Sequence, residues 1–273
     1  MSVDVVVFGA GFTGSAVCVA ARSRGLSVLG VVRSQDSAAA LVARGVEATT
    51  EGADMVARER VGPATHAIIT FPATAPAELA LAPLLAGARA VSYLSTTGVY
   101  EDLEGVVDDT TALPPTTSPK YAAVLAAERA FRDVGAAVLR APGIYGKERG
   151  IHVRLERGDF KLSGDGSRYS SRIHVADLAE LLLASAATPR ETFVVGDLEP
   201  CRQIDMVTWL CARLRLPLPA SAPLEAVHET LRRNRQVDAS RALQRLGINL
   251  RYPTYRDAFL TSQSSPLNPD PLP

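Results

Sequence analysis

The sequence predicts an α/β protein built on a doubly wound parallel sheet, with a small, discontinuous C-terminal lobe. Three observations predict it. Short apolar runs rich in β-branched residues alternate with alanine- and leucine-rich helical runs from Val3 to Arg140. The first run, Val3 to Phe8, breaks into glycines spaced G-x-G-x-x-G and passes straight into a helix-forming stretch, Ala16 to Arg24. From Ile151 the alternation stops and turn-rich segments take over.

Each glycine has a physical task in this setting. Gly9 lets the chain turn sharply off the strand, Gly11 lets backbone approach a pyrophosphate, and Gly14 lets the helix pack tightly on the strand. The helix N-terminus offers free N–H groups and a positive dipole end to phosphate, and Phe12 and Thr13, between the glycines, are candidate cofactor contacts. A second apolar strand, Ser27 to Val32, completes a βαβ unit. The pattern therefore reads as a nucleotide-binding, Rossmann-type domain; a glycine-rich turn without a ligand is the other reading. NAD-binding units carry an acid about 20 residues past the glycines. Here the second strand ends Val31-Val32-Arg33-Ser34-Gln35, with no acid at its tip. Arg33 is placed to pair with a 2′-phosphate and to stack on adenine, and Ser34 can add a hydroxyl. This favours NADP(H). NAD(H) stays open, because Asp36 can contact the ribose while Arg33 is solvated.

Composition narrows the classes. At 273 residues and 47% hydrophobic, the chain can bury one large core with a smaller lobe. Lysine plus arginine equals aspartate plus glutamate, and aromatic content is 5%, which argues against nucleic acid or anionic membrane as partner. Cys18, Cys201 and Cys211 form neither metal-ligand spacing nor a disulfide framework, so reduced thiols in a cytoplasmic protein are expected. The first apolar run is too short to span a membrane and lacks the basic front of a signal peptide.

In chain order, Ser37–Arg44 reads as a helix ended by Gly45, and Val46–Thr49 as a short strand. His66–Phe71 is a core strand stopped by Pro72; the loop after it lies over the cofactor, making Thr70, Phe71 and Pro72 candidate walls for the adenosine. A helix over Pro76–Ala86 and a strand over Ala90–Ser95 follow, the latter running into Ser95-Thr96-Thr97-Gly98. Hydroxyls there point into the ligand crevice, or simply form a turn. Glu101–Thr117 is polar and proline-containing, a loop. Ser118 caps a helix over Lys120–Val134, and Ala136–Arg140 is a strand. Beyond it come a short helix at His152–Arg157, helices over Leu178–Ala187 and Ile204–Leu214, a strand at Thr192–Val195 and a helix over Val237–Leu246. The expected division is a dinucleotide-binding domain over 1–150, a mixed substrate lobe with segments returning to that domain over 151–261, and a disordered tail over 262–273.

Four stretches, in order, resemble the short-chain dehydrogenase/reductase superfamily, and within it the extended, NAD(P)-dependent epimerase/dehydratase type. They are Gly9–Gly14, Leu94–Tyr100, Leu139-Arg140-Ala141-Pro142-Gly143-Ile144-Tyr145-Gly146, and Arg172–Ala179. The ending Leu250–Asp257 is also similar. The resemblance implies hydride transfer between a nicotinamide and a carbonyl or alcohol carbon. It implies cofactor contacts at Ser95, Pro142 and Ile144 beside the glycines. A serine or threonine that binds the substrate oxygen maps onto Thr96. A tyrosine acid/base, with a lysine four residues on, maps onto Tyr121, but Leu125 stands where the lysine belongs. Aligning instead on Glu128 places Lys120 and Val124 at the two positions, so neither register supplies the pair. Without a nearby cation a phenol keeps its usual pKa of about 10. The chain is thus similar to the atypical members, and Tyr100, Tyr145, His152 or an acid of the 101–109 loop are alternative proton donors.

Among other residues, His174 and His66 read as structural, Asp177 as a helix cap and His228 as exposed. Arg154, Arg157, Lys161 and Arg168 could meet a diphosphate or form a solvated face, since Glu156, Asp159 and Asp165 are interleaved. The short lobe favours a small or apolar substrate. The expected function is an NAD(P)H-dependent oxidoreductase. Its rivals are an epimerase or dehydratase of a nucleotide-sugar-like substrate and a non-catalytic NADP-binding regulatory protein. The resemblance also implies a possible homodimer through the helices at 76–86 and 120–134, whose alanine-rich faces would serve an intramolecular contact equally well.

Overall fold

The computed structural model describes residues 3–72 and 76–261; the tail expected to be disordered lies outside the described residues. Strand and helix alternate as β1 (Val5–Phe8), α1 (Phe12–Ser23), β2 (Val28–Val31), α2 (Gln35–Val42), β3 (Glu47–Thr49), α3 (Ala53–Arg60), β4 (His66–Ile69), α4 (Ala77–Leu81), β5 (Ala90–Thr96), β6 (Gly105–Val107), α5 (Pro119–Asp133) and β7 (Ala137–Ala141). The remainder comprises β8 (Gly143–Tyr145), α6 (Ile151–Glu156), β9 (Leu162–Ser163), β10 (Tyr169–Ser170), β11 (Arg172–His174), α7 (Val175–Ala184), β12 (Thr192–Val194), β13 (Cys201–Arg202), α8 (Gln203–Leu214), β14 (Ser221–Ala222), α9 (Glu229–Arg232), β15 (Arg235–Val237), α10 (Ser240–Leu246) and α11 (Tyr255–Thr261).

The continuous apolar runs form the middle layer because both their faces are covered. The sheet is seven-stranded, ordered β12-β7-β5-β4-β1-β2-β3, and every pairing in it is parallel. On one face Val17, Cys18 and Ala21 of α1 share a core with Leu178, Leu181 and Leu182 of α7. On the other, Val56, Leu81, Leu85, Ala127 and Phe131 pack against Tyr93, which stacks on Phe131 at 4.7 Å. Each large apolar side chain buried this way stabilises the fold by about 1.5–3 kcal/mol. Strand order reverses between β1 and β4, so their carboxyl ends flank a crevice.

Several elements depart from the sequence reading, each for a physical reason. Ser34 Oγ accepts from Ser37 N at 3.3 Å, so α2 starts earlier than Ser37. Pro83 lacks an amide, and the helix after Leu81 tightens into a 3-10 turn over Ala82–Leu85. The Glu101–Thr117 loop contains β6, which pairs in parallel with β15. That pairing makes Arg235–Val237 a strand, and the helix expected from Val237 begins only at Ser240. Asp177 does not cap α7; His174 does, accepting from Ala176 N at 3.2 Å. The Asp177 carboxylate instead accepts from Arg251 N and Tyr252 N at 2.7 and 3.0 Å, tying the C-terminal chain to α7. A further apolar cluster joins Leu155, Phe160 and Leu162 to Met206, Val207, Leu210 and Tyr255. Among the described residues no helix is long and apolar enough to cross a membrane.

Candidate active site

The crevice begins at the glycines. Gly9 has φ +89°, and a Cβ there would lie 2.8 Å from Phe71 Cβ and Phe71 N. A Cβ at Gly14 would lie 2.6 Å from Gly9 O and from Thr70 Oγ1. The fold itself therefore requires both glycines. Gly11 is different: its φ is −77°, and an added Cβ would meet only Gly9 O, at 3.9 Å. It is exposed, and the first bond that closes α1 runs from Ser15 N to Gly11 O at 2.8 Å. The N–H groups of Phe12, Thr13 and Gly14 precede that bond and lack helical acceptors.

The walls follow from the loops. Thr70 Oγ1 donates to Gly9 O at 2.8 Å, Phe71 is half-buried against Gly9, and Pro72 is exposed. Thr70 thus fastens the β4 loop to the β1 loop. Arg33 is exposed beyond β2, and among the described residues its guanidinium has no hydrogen-bond or ion-pair partner. Ser34 is occupied in capping α2. Pro142 and Ile144 are half-buried after β7, and Arg149 lies over the Phe12 ring at 5.3 Å.

Thr96 and Tyr121 are brought together by Gly98. A Cβ on Gly98 would lie 2.5 Å from Tyr121 Cε1 and 3.1 Å from its hydroxyl, so only glycine lets the ring settle on this turn. Thr96 Oγ1 accepts from Gly98 N at 3.0 Å, and among the described residues its hydroxyl hydrogen has no acceptor. Tyr121 is only 4% exposed. Its hydroxyl receives a hydrogen bond from Arg233 at 2.6 Å and donates to Glu229 Oε1 at 3.2 Å. Arg233 also donates to Gly98 O at 3.1 Å, and its guanidinium stands 5.0 Å from the Tyr121 ring centre. Lys120 pairs with Glu229; this hydrogen bond holds the Glu229 carboxyl below the usual carboxylate range and raises the Lys120 ammonium. Arg235 donates to the carbonyls of Leu103, Thr97 and Glu101. Burial, aided by Arg233, pushes its guanidinium down to about 10. A cavity of about 230 Å³ opens beside Arg233, between Asp102, Glu104 and Arg168.

Ser95, one residue before Thr96, is buried and donates to Glu128 Oε1. Glu128 receives two bonds from Arg140, at 3.0 and 2.7 Å, and Arg140 reaches Tyr100 Oη at 3.1 Å. The Ser95 side chain is therefore spent inside the protein, as is the Tyr100 hydroxyl. Tyr145 is buried, and burial pushes its phenol above the usual range. His152 Nε2 faces Lys147 O at 3.2 Å, and burial lowers its pKa. Arg154 pairs with Asp159 and Arg168 with Glu104, so these two partner separate acids. Among the described residues no cluster of three or more His, Cys, Asp or Glu could hold a metal.

Sequence reasoning missed Glu229, Arg233 and Arg235, and also the Glu128–Arg140 pair and Arg149. The basic run Arg232-Arg233-Asn234-Arg235, set in a stretch without clear periodicity, was the available signal.

No family model matches this sequence, and no curated protein matches it. Among solved structures, a functionally unknown conserved protein from Silicibacter pomeroyi is 30% identical, with a TM-score of 0.81, over 96% of this chain and 98% of that one. MoeE5, in complex with UDP-glucose and NAD, is 21% identical with a TM-score of 0.76, over 94% and 96% of the two chains. The human epimerase family protein SDR39U1 with NADPH is 18% identical with a TM-score of 0.74, over 93% and 97%. The chain shares its fold with these proteins over nearly its whole length. Set against the short-chain dehydrogenase/reductase pattern that the sequence resembles, the Tyr-x-x-x-Lys pair is incomplete here, with Leu125 at the lysine position.

Proposed function

We propose that the protein is an NAD(P)H-dependent oxidoreductase acting on a carbonyl or alcohol carbon of a small or apolar substrate. It prefers NADPH and works in the cytoplasm. Gly11 carries this reading. The fold crowds Gly9 and Gly14 but leaves open space at Gly11, beside the unpaired N–H groups of α1, which suits a pyrophosphate. Gly9 to Gly14 would hold the pyrophosphate, Arg33 and Ser34 a 2′-phosphate, and Thr70 to Pro72 the adenosine. Ser95 backbone, Pro142 and Ile144 would line the rest of the cofactor. When bound, the nicotinamide supplies or accepts hydride. Thr96 would donate a hydrogen bond to the substrate oxygen, and Tyr121 would exchange a proton with it. The NAD and NADPH bound by MoeE5 and by the human protein support a nicotinamide dinucleotide in this crevice.

The UDP-glucose held by MoeE5 favours a second reading, an epimerase or dehydratase of a nucleotide-sugar-like substrate. Net consumption of NADPH separates the two, because an epimerase regenerates its cofactor in each cycle. The test is fluorescence titration with NADPH and NADH, followed by an aldehyde and ketone panel. The expected result is micromolar NADPH binding that Arg33→Ala weakens much more than NADH binding. A folded protein that binds neither nucleotide would refute the proposal.

A further inference from the structure

In the pattern that the sequence resembles, the tyrosine has a lysine four residues on, whose positive charge favours the ionised phenol. At the lysine position this chain has Leu125, a partly buried side chain packed against the apolar cluster that includes Val99, Tyr100, Tyr121 and Val124. The Tyr121 hydroxyl nevertheless has two charged partners, both from residues 229–233. The charged groups around it are Lys120 from α5, Glu229 and Arg233 from the C-terminal segment, and Arg235 close behind Arg233.

The two partners differ in what they can do. A guanidinium donates hydrogen bonds but neither accepts one nor gives up its proton near neutral pH. Arg233 can therefore hold the phenol oxygen and favour negative charge on it, but it cannot move the proton. Glu229 can. Its Oε1 is the acceptor for both Tyr121 and Lys120. Exposure rises along this line: Tyr121 is 4% exposed, the Glu229 side chain 38% and the Lys120 side chain 60%. The line runs from a buried phenol to water through groups already in hydrogen-bond contact.

We propose that Arg233 and Glu229 together replace the missing lysine: Arg233 positions and charge-balances the Tyr121 oxygen, and Glu229, coupled to Lys120, carries protons between Tyr121 and water. This rests on Tyr121 being the proton donor of the reaction. In the reducing direction the carbonyl carbon gains hydride, the C=O bonding pair moves to oxygen, and that oxygen takes the Tyr121 proton. Glu229, 38% exposed, takes a proton from a solvent hydronium ion and passes it to the tyrosinate, while Lys120 stays an ammonium beside it. One hydride and one proton enter the product, and the protein returns to its starting state.

The test compares native protein with Tyr121→Phe, Glu229→Ala, Arg233→Ala and Arg233→Lys, each checked for folding by thermal melting. Reduction of 4-nitrobenzaldehyde and a wider aldehyde panel is followed as NADPH consumption. Glu229→Ala is expected to lose about 10²-fold in rate, the lower end of what positioned proton transfer contributes. Added formate, a small diffusible carboxylate, should recover at least a tenth of the native rate. A purely structural clasp would show no formate rescue. A second readout tests Arg233: Arg233→Ala should lose about tenfold in rate, the loss of one charge-assisted hydrogen bond, and Arg233→Lys, which keeps a positive charge beside the phenol oxygen, should recover part of it. If Tyr121→Phe is inactive while Glu229→Ala keeps the native rate, or if formate does nothing, the relay fails and the oxidoreductase reading stands. Arg233→Ala keeping the native rate, or Arg233→Lys recovering none of the loss, removes the role of Arg233. Native protein that binds NADPH but reduces no aldehyde overturns the oxidoreductase reading, and the relay with it.

Discussion

Two glycines three residues apart should respond to the same methyl group in opposite ways. At Gly14 the added carbon would sit 2.6 Å from Gly9 O and Thr70 Oγ1, inside van der Waals contact with backbone that cannot retreat. Overpacking of this kind costs about 1–3 kcal/mol. For a chain of this size each kcal/mol lowers Tm by roughly 2–4 °C, so Gly14→Ala should melt several degrees lower. At Gly11 the carbon meets only Gly9 O at 3.9 Å, and loss of a glycine before the helix costs about 1 kcal/mol or less. The same methyl would stand between the α1 N–H groups and a pyrophosphate. Loss of one charge-assisted hydrogen bond, worth about 1.5–3 kcal/mol, weakens binding roughly 10- to 100-fold. Thermal melting and NADPH fluorescence titration on both variants check this. Gly11→Ala binding NADPH as tightly as native protein would refute the ligand explanation of that glycine. Gly14→Ala melting with native protein would refute the packing explanation of the other.

Other substitutions follow from the same geometry. Gly98→Ala forces a methyl to within 2.5 Å of Tyr121 Cε1, so the aldehyde rate should fall at least tenfold with little change in NADPH affinity; native kinetics would show that the ring is not held there. Glu128→Ala leaves Arg140 as a buried charge without its carboxylate and should cost about 3–5 kcal/mol in urea unfolding, most of it recovered when Arg140 is also made Met. Burial pushes the Asp197 carboxyl up to about 7, against the pull of Arg172 at 3.9 Å. The folded chain then holds a proton that the unfolded chain releases near pH 3.9, so stability falls as pH rises from about 4 to 7; Asp197→Asn should flatten that slope. Burial holds His66 down to about 3, with its Nε2 on Ser92 Oγ at 2.8 Å. Here the unfolded state gains the proton, so stability rises with pH between about 3 and 6.5, and His66→Gln should remove that contribution from the unfolding-versus-pH curve.

Local chemistry made much of the molecule readable in advance. Val5 to Phe8 announced a buried strand because an apolar, β-branched run has no polar face to turn outward. The glycine spacing announced the turn and helix because Gly9 and Gly14 each sit where an added Cβ would meet neighbouring atoms within 3 Å. What escaped was set by pairing at long range. Arg235 to Val237 is a strand only because Gly105 to Val107 lies beside it, and two three-residue segments leave no periodicity to read. Ser95 looked like a crevice hydroxyl, yet its side chain is spent on Glu128, and nothing local to Ser95 signals a carboxylate on α5.

By itself the sequence determined the α/β alternation, the glycine-bounded strand–turn–helix unit, the absence of an acid at the tip of the second strand and the absence of a lysine four residues after Tyr121. Each depends on residue type at short spacing, where covalent geometry and hydrophobic periodicity act directly. Only the tertiary structure decided what stands in the place of that lysine. Arg233 and Glu229 are more than a hundred residues from Tyr121 along the chain. They reach its hydroxyl because β15 pairs with β6 and lays the C-terminal segment across the turn at Gly98. No local pattern encodes a contact made by the closing of the chain on itself.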